Sequence, residues 1–145
     1  MSHRRVFVSS RVSGVTPLMS VALYLLDQRP SRGVRVFFIW CAKNPRVFQL
    51  FASAIDEFCL CPDYDVRLFC TQRQSQSDCE APMVFGRPSP VAILREVSGV
   101  VDSNVPVAVL TCGPKGLTNS VSQAVASVAR SDGRALHLHQ ETFLF

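Results

Sequence analysis

The chain has 145 residues, 48% hydrophobic and 18% charged, with a formal net charge of +4. That length suits a single domain, residues 1–145, with a core of its own, and that composition excludes disorder. The mild positive charge comes without a Lys/Arg run, which argues against nucleic acid as a partner and leaves room for an anionic ligand.

Arg5 to Ser10 is a short run rich in valine and phenylalanine, and it predicts a buried strand. "SRVSGVTP", Ser10 to Pro17, predicts a turn. Leu18, Val21, Ala22, Leu25 and Leu26 then recur at helical spacing, with Thr16 as an N-cap and Pro17 in the first helical turn, where a missing N–H costs nothing. "RPSRG" breaks the chain. Val34 to Cys41 is apolar on both faces apart from Arg35, the pattern of a central parallel strand. "AKNP" turns the chain into a second helical pattern, Val47 to Phe58, and "DVRLFCT" predicts a third strand.

Gln72 to Pro82 is the one low-complexity polar stretch and is expected to be a mobile surface loop; "MVFGRPSP" after it reads as a turn region. Val91 to Val97 predicts a short helix, "VPVAVLTC" a fourth strand, Gly116 to Arg130 a long helix, and "GRALHLH" a fifth strand, with "QETFLF" as a tail. Strands and helices in strict alternation predict an α/β fold: a single doubly wound, Rossmann-like domain with about five parallel strands and helices on both faces. In such folds ligands bind beyond the carboxyl ends of the strands, and every unusual turn of this chain is expected on that edge.

Six cysteines, Cys41, Cys59, Cys61, Cys70, Cys79 and Cys112, sit mostly within or beside apolar runs. Their spacing matches no standard zinc pattern, so no metal is assigned and a reducing compartment is expected. His137 and His139 share one face of the last strand without a carboxylate or cysteine at ligand spacing. No apolar stretch reaches the ~18–20 residues that cross a bilayer, so no membrane contact by this segment alone is expected.

Four features carry chemistry. Ser10 to Pro17 feeds a helix N-terminus, where free N–H groups and the dipole favour phosphate, and Ser10, Ser13 and Thr16 add hydroxyls; an ordinary capped turn explains the same residues. Cys112 stands at a strand-to-helix turn, where a packing thiol, a nucleophile, a metal ligand and a cofactor neighbour are all open; the C-x5-R loop of a phosphatase is excluded because Thr118 holds the sixth place. Lys43 and Arg87 follow strand or loop ends on the expected ligand edge and suit a phosphate or plain solvated charge. Phe143 and Phe145 near the terminus suit stacking on a flat group.

Taken together, "SGVTPLMSV", "VFFIWCAKNPRVFQLF", "FGRP", "VLTCGPKGL" and "HQETFLF", in this order, resemble the C-terminal NAD(P)H-binding domain of the ferric reductase and NADPH oxidase flavocytochromes, within the ferredoxin–NADP reductase superfamily. The resemblance implies that Cys112 lies beside the nicotinamide, that Gly113 lets the coenzyme approach the backbone, and that Pro114 of the same turn belongs to the coenzyme site. It implies that Ser10, Ser13, Gly14, Val15 and Thr16 line the pyrophosphate and nicotinamide side. Lys43 and Arg87 would hold the 2′-phosphate, favouring NADPH over NADH. Phe145 or Phe143 would cover the flavin until the nicotinamide displaces it, so Cys112 and Phe145 are the residues expected at the reacting rings.

The implied activity is hydride transfer from NADPH to FAD in a ferric-chelate reductase-like transmembrane oxidoreductase. The FAD-binding domain and the haem-containing membrane domain would be partners in the same polypeptide, and this domain would lie at the cytoplasmic face of the membrane. An NADPH oxidase is the alternative within the family. Arg11 and Val12 stand where relatives carry glycines, and a non-catalytic interaction domain that has lost its nucleotide is the alternative of a different class.

Overall fold

The computed structural model of the chain describes residues 4–9, 12–28, 35–72, 83–102 and 104–143, the side chains of 4–9, 12–17 and 141–143 apart. In chain order the elements are β1 (Arg4–Ser9), α1 (Val12–Asp27), β2 (Arg35–Ala42), α2 (Arg46–Gln49), α3 (Ala52–Leu60), β3 (Tyr64–Cys70), β4 (Met83–Phe85), α4 (Pro90–Val100), β5 (Val107–Pro114), α5 (Lys115–Asp132) and β6 (Leu136–Phe143). The fold is α/β. The strands form one sheet in the order β4-β3-β2-β1-β5-β6, and every pairing is parallel.

β2 lies inside the sheet, between β1 and β3, and is buried from Val36 to Ala42. Its alternation divides the core. Val36, Phe38, Trp40 and Ala42 face one cluster with Leu18, Met19, Ala22 and Leu25 of α1, Phe48 of α2, and Ile55 and Phe58 of α3. Phe37 and Ile39 face the other, with Ile93, Leu94 and Val97 of α4 and Val121, Ala124, Val125 and Val128 of α5. Burial on both faces is why this strand reads as one apolar run.

Local signals explain the helix ends. Ser89 accepts a bond from the Ala92 amide at 3.3 Å, and Pro90 takes the first helical position of α4. α5 ends at Gly133, whose φ of 60° is left-handed and open to glycine at no steric cost. Gly86, with φ of 112°, makes the turn after β4 in a conformation that side chains rarely adopt.

Several expectations change. The sheet has six strands rather than about five. The added one, Met83–Phe85, lies in the segment expected to be a turn; it pairs with β3 from Leu68↔Met83 to Cys70↔Phe85. Three residues are too short to show a period. β6 continues through the expected tail to Phe143, paired with Pro114. α1 begins at Val12, so Thr16 is not its N-cap and Pro17 is not in its first turn. Only two residues separate the end of β1 from α1, which leaves no room for an eight-residue turn. Pro17 therefore stands within the helix, where it cannot donate to the Ser13 carbonyl. The expected loop Gln72–Pro82 lies outside the described residues apart from Gln72, and "RPSRG" lies outside them entirely.

Candidate functional site

Because all the strands are parallel, their carboxyl ends share one rim. Across it run the turn after β4 with Arg87, the ends of β3 and β2 with Cys70 and Lys43, the end of β1 at Ser9, the β5 end with Cys112, Gly113 and Pro114, and the β6 end with Phe143. From β1 the chain winds outward through β2, β3 and β4, then crosses to the other side of β1 for β5 and β6. The strand order thus reverses between β1 and β5, which is where a crevice opens in this architecture. Arg87 and Cys112 are four strand spacings apart, about 19 Å at the usual inter-strand distance.

The basic half of the rim is tightly tied. Beyond the last β2–β3 pair the ladder continues, with Thr71 N donating to Ala42 O at 3.1 Å and Gln72 N to Lys43 O at 3.2 Å. The Cys70 thiol points back at the same turn, within 3.3 Å of Lys43 O and 3.1 Å of Gln72 O. On the other side of β3, Gly86 N donates to Cys70 O at 2.8 Å. Lys43 and Arg87 are themselves exposed. Among the described residues neither forms an ion pair, the two such pairs both belonging to Arg67. Cys41, one residue before the end of β2, is buried. Burial pushes its thiol pKa up; the Arg87 charge opposes this and the neighbouring Cys70 adds to it, so Arg87 lies within electrostatic reach of Cys41.

At the switch point two helices begin. α1 starts at Val12, so Ser13, Gly14, Val15 and Thr16 all belong to its first turns; Ser10 lies outside the described residues. α5 starts at Lys115 behind Pro114, with no side-chain cap on its first amides. Its Thr118 hydroxyl donates instead to Lys115 O at 3.2 Å. Uncapped amides at a helix start favour an anion. Cys112 is 1% exposed and belongs to the core cluster under α1. Its thiol therefore forms the floor of the rim, while Pro114 is half-buried above it. Register sets Ser9 beside Cys112 and Pro114 beside Phe143. Phe145 lies outside the described residues.

Three polar groups unremarked in the sequence hold the scaffold. The Tyr64 hydroxyl donates to Ala22 O at 2.7 Å, tying β3 to α1 inside the core. Arg67 on β3 grips Glu96 of α4 with two bonds, at 2.6 and 2.7 Å, and also binds Asp65. Buried Arg134 donates to the carbonyls of Ser98, Val101, Asp102 and Val105, closing the end of α4. Only register and helix placement bring these partners together, so spacing carries no signal for them. His137 and His139 are both exposed on β6. Among the described residues no group of three or more His, Cys, Asp or Glu is placed to hold a metal ion, and no helix is long and apolar enough to cross a membrane.

No protein-family model matches the chain, and no curated protein matches it in sequence. Among solved structures it is similar to the flavohemoglobin from Malassezia yamatoensis with bound FAD and heme. The TM-score is 0.57 at 17% identity, over 96% of this chain and 31% of the flavohemoglobin chain. At that identity the likeness is one of fold, and this chain spans about a third of the flavohemoglobin's length.

Proposed function

We propose that the chain binds a pyridine dinucleotide, NADPH, across the carboxyl rim and presents it to a flavin held elsewhere, as a reductase domain of an oxidoreductase. The observation that carries this is the pairing of two unlike anion sites on one rim. Lys43 and Arg87 stand exposed, and among the described residues they have no ionic partner. At the switch point, α1 and the uncapped α5 begin. A dinucleotide phosphate carries anionic groups at both places, and the rim offers a match for each.

In this assignment Arg87 grips the 2′-phosphate through its planar fork and Lys43 adds a point charge. The free amides at the starts of α1 (Ser13, Gly14) and α5 carry the pyrophosphate, with Val15 and Thr16 in the helical turn behind them. Gly113 and Pro114 line the nicotinamide side over the Cys112 floor, and the end of β6 brings Phe143 alongside, with Phe145 following as the ring over the flavin. When bound, NADPH would supply the hydride. The chain's own residues position it and exclude water, and no side-chain acid or base is needed. FAD, and haem beyond it, would belong to partner domains. The sequence motifs favour a ferric-chelate reductase-like flavocytochrome, with this domain at the cytoplasmic face of its membrane.

Titration of the chain with NADPH and NADH tests the assignment. Arg87→Ala should lower the preference for NADPH by about 1–3 kcal/mol, the scale of a charge-assisted bond. An equal loss for both coenzymes, or no binding of either by the parent, would overturn it.

A further inference from the structure

Among the described residues, Cys70 is bonded to both basic turns of the rim. Its thiol reaches Lys43 O at 3.3 Å and its carbonyl accepts the Gly86 amide at 2.8 Å, one residue before Arg87. The Lys43 carbonyl is thereby bonded twice, by the Gln72 amide at 3.2 Å and by this thiol, which fixes the plane of the peptide that follows Lys43. Cys70 is 4% exposed, and its thiol meets the Lys43 and Gln72 carbonyls at the part-buried edge of the turn. Its one proton is shared with Gln72 O at 3.1 Å, which holds the end of β3 to the same turn. Neither Lys43 nor Arg87 sits on a regular element: Lys43 follows the last residue of β2, and Arg87 follows Gly86 in the turn after β4. The backbone bonds through β3 set their approximate separation, and the Cys70 thiol adds a side-chain tie between the end of β3 and the Lys43 turn. Long cationic side chains bind a phosphate together only if their backbones start at a matching distance, because every extra rotamer that must be frozen weakens the bond.

Resting on the NADPH assignment above, we infer that Cys70 is a positioning residue that sets Lys43 and Arg87 at one spacing and so tunes the selectivity for the 2′-phosphorylated coenzyme. It touches no coenzyme atom itself. The 2′-phosphate is the only group that distinguishes the two coenzymes, so loosening this joint should weaken NADPH and leave NADH unchanged.

The test is a titration of the chain and its Cys70→Val and Cys70→Ser forms with NADPH and with NADH, each form first checked by thermal melting. Valine is apolar and removes the donor, at the cost of one added methyl group; serine keeps a donor. Cys70→Val should weaken NADPH roughly three- to ten-fold, the scale of one net hydrogen bond, with NADH changed less than about two-fold. Cys70→Ser should recover most of that loss. Equal weakening of both coenzymes would make the residue merely structural and overturn the inference, as would an unchanged NADPH affinity. Cys70→Ala replaces the valine form if that form does not fold, and failure of both to fold would equally overturn it. A parent that binds neither coenzyme defeats the NADPH assignment itself. A parent that binds both equally defeats the selectivity role alone.

Discussion

The two faces of the sheet are packed by different means. On the face of α1, α2 and α3, the α2–α3 side is packed by rings: Trp40 against Phe48 at 4.8 Å and Phe51 at 5.6 Å, and Phe58 against Phe38 at 5.5 Å and Tyr64 at 5.1 Å. Under α4 and α5 the buried side chains are branched aliphatics apart from Phe37 and Ala124, and arginines tie the ends. Helix length accounts for the contrast. α2 has 4 residues and α3 has 9, so each presents few inward positions, and the rings of Phe48 and Phe58 fill two of the three, Ile55 the other. α5 has 18 residues and repeats small contacts along its length. Small apolar contacts have no direction, so the orientation on that face comes from charge: Arg67 on Glu96 and Arg134 on four carbonyls.

The contrast can be broken at its strongest point first. Phe58→Ala should cost about 3–5 kcal/mol in denaturant unfolding, whereas Val128→Ala, equally buried, should cost about 2 kcal/mol. The reverse ranking would show that ring size does not carry the first face. Arg134→Met keeps the apolar stem and removes the guanidinium, leaving the carbonyls at the end of α4 without their donor. A loss of about 2 kcal/mol is expected, with faster amide exchange near the C-terminus of α4. Stability equal to the parent would mean that the desolvation of the cation cancels its bonds.

The smallest effect belongs to the half-exposed Arg67–Glu96 pair, worth under about 1 kcal/mol at pH 7. The Arg67 guanidinium holds the Glu96 carboxyl below its ordinary value of 4.5. Folded Glu96 thus keeps its charge to lower pH than unfolded Glu96. Its contribution is present above pH 4.5 and fades as the pH falls through the lowered folded value. Glu96→Gln should therefore melt slightly lower than the parent at pH 7 and match it in strong acid. A gap that persists at low pH would point to shape rather than charge.

Much of the architecture was legible from the order of residues. Strands buried on two sides, such as Arg35–Ala42 and Val107–Pro114, are apolar along most of their length, Arg35 and Thr111 apart, and that run is visible without neighbours. The long helix Lys115–Asp132 shows its inward face at Val121, Ala124, Val125 and Val128. The β4 strand was not legible, because its three residues become a strand only by pairing with β3. Nor was the start of α1, since the Thr16-Pro17 pair imitates a helix entry that the short β1–α1 connection overrides. Of the site, Lys43, Arg87 and Cys112 stood out by turn chemistry. Cys70 did not, because its partner carbonyl at Lys43 lies 27 residues away in the chain.

What the amino-acid order alone determined is therefore local: which segments alternate, which turn at Gly or Pro, and which cations follow strand ends. Those properties depend on neighbours a few residues apart. Only the tertiary structure decided that the strand order reverses between β1 and β5, that the Cys112 thiol is floor rather than surface, and that one cysteine links two basic turns. Each depends on which strands lie side by side and in what register, and that is set by the packing of helices on both faces at once, not by any single segment.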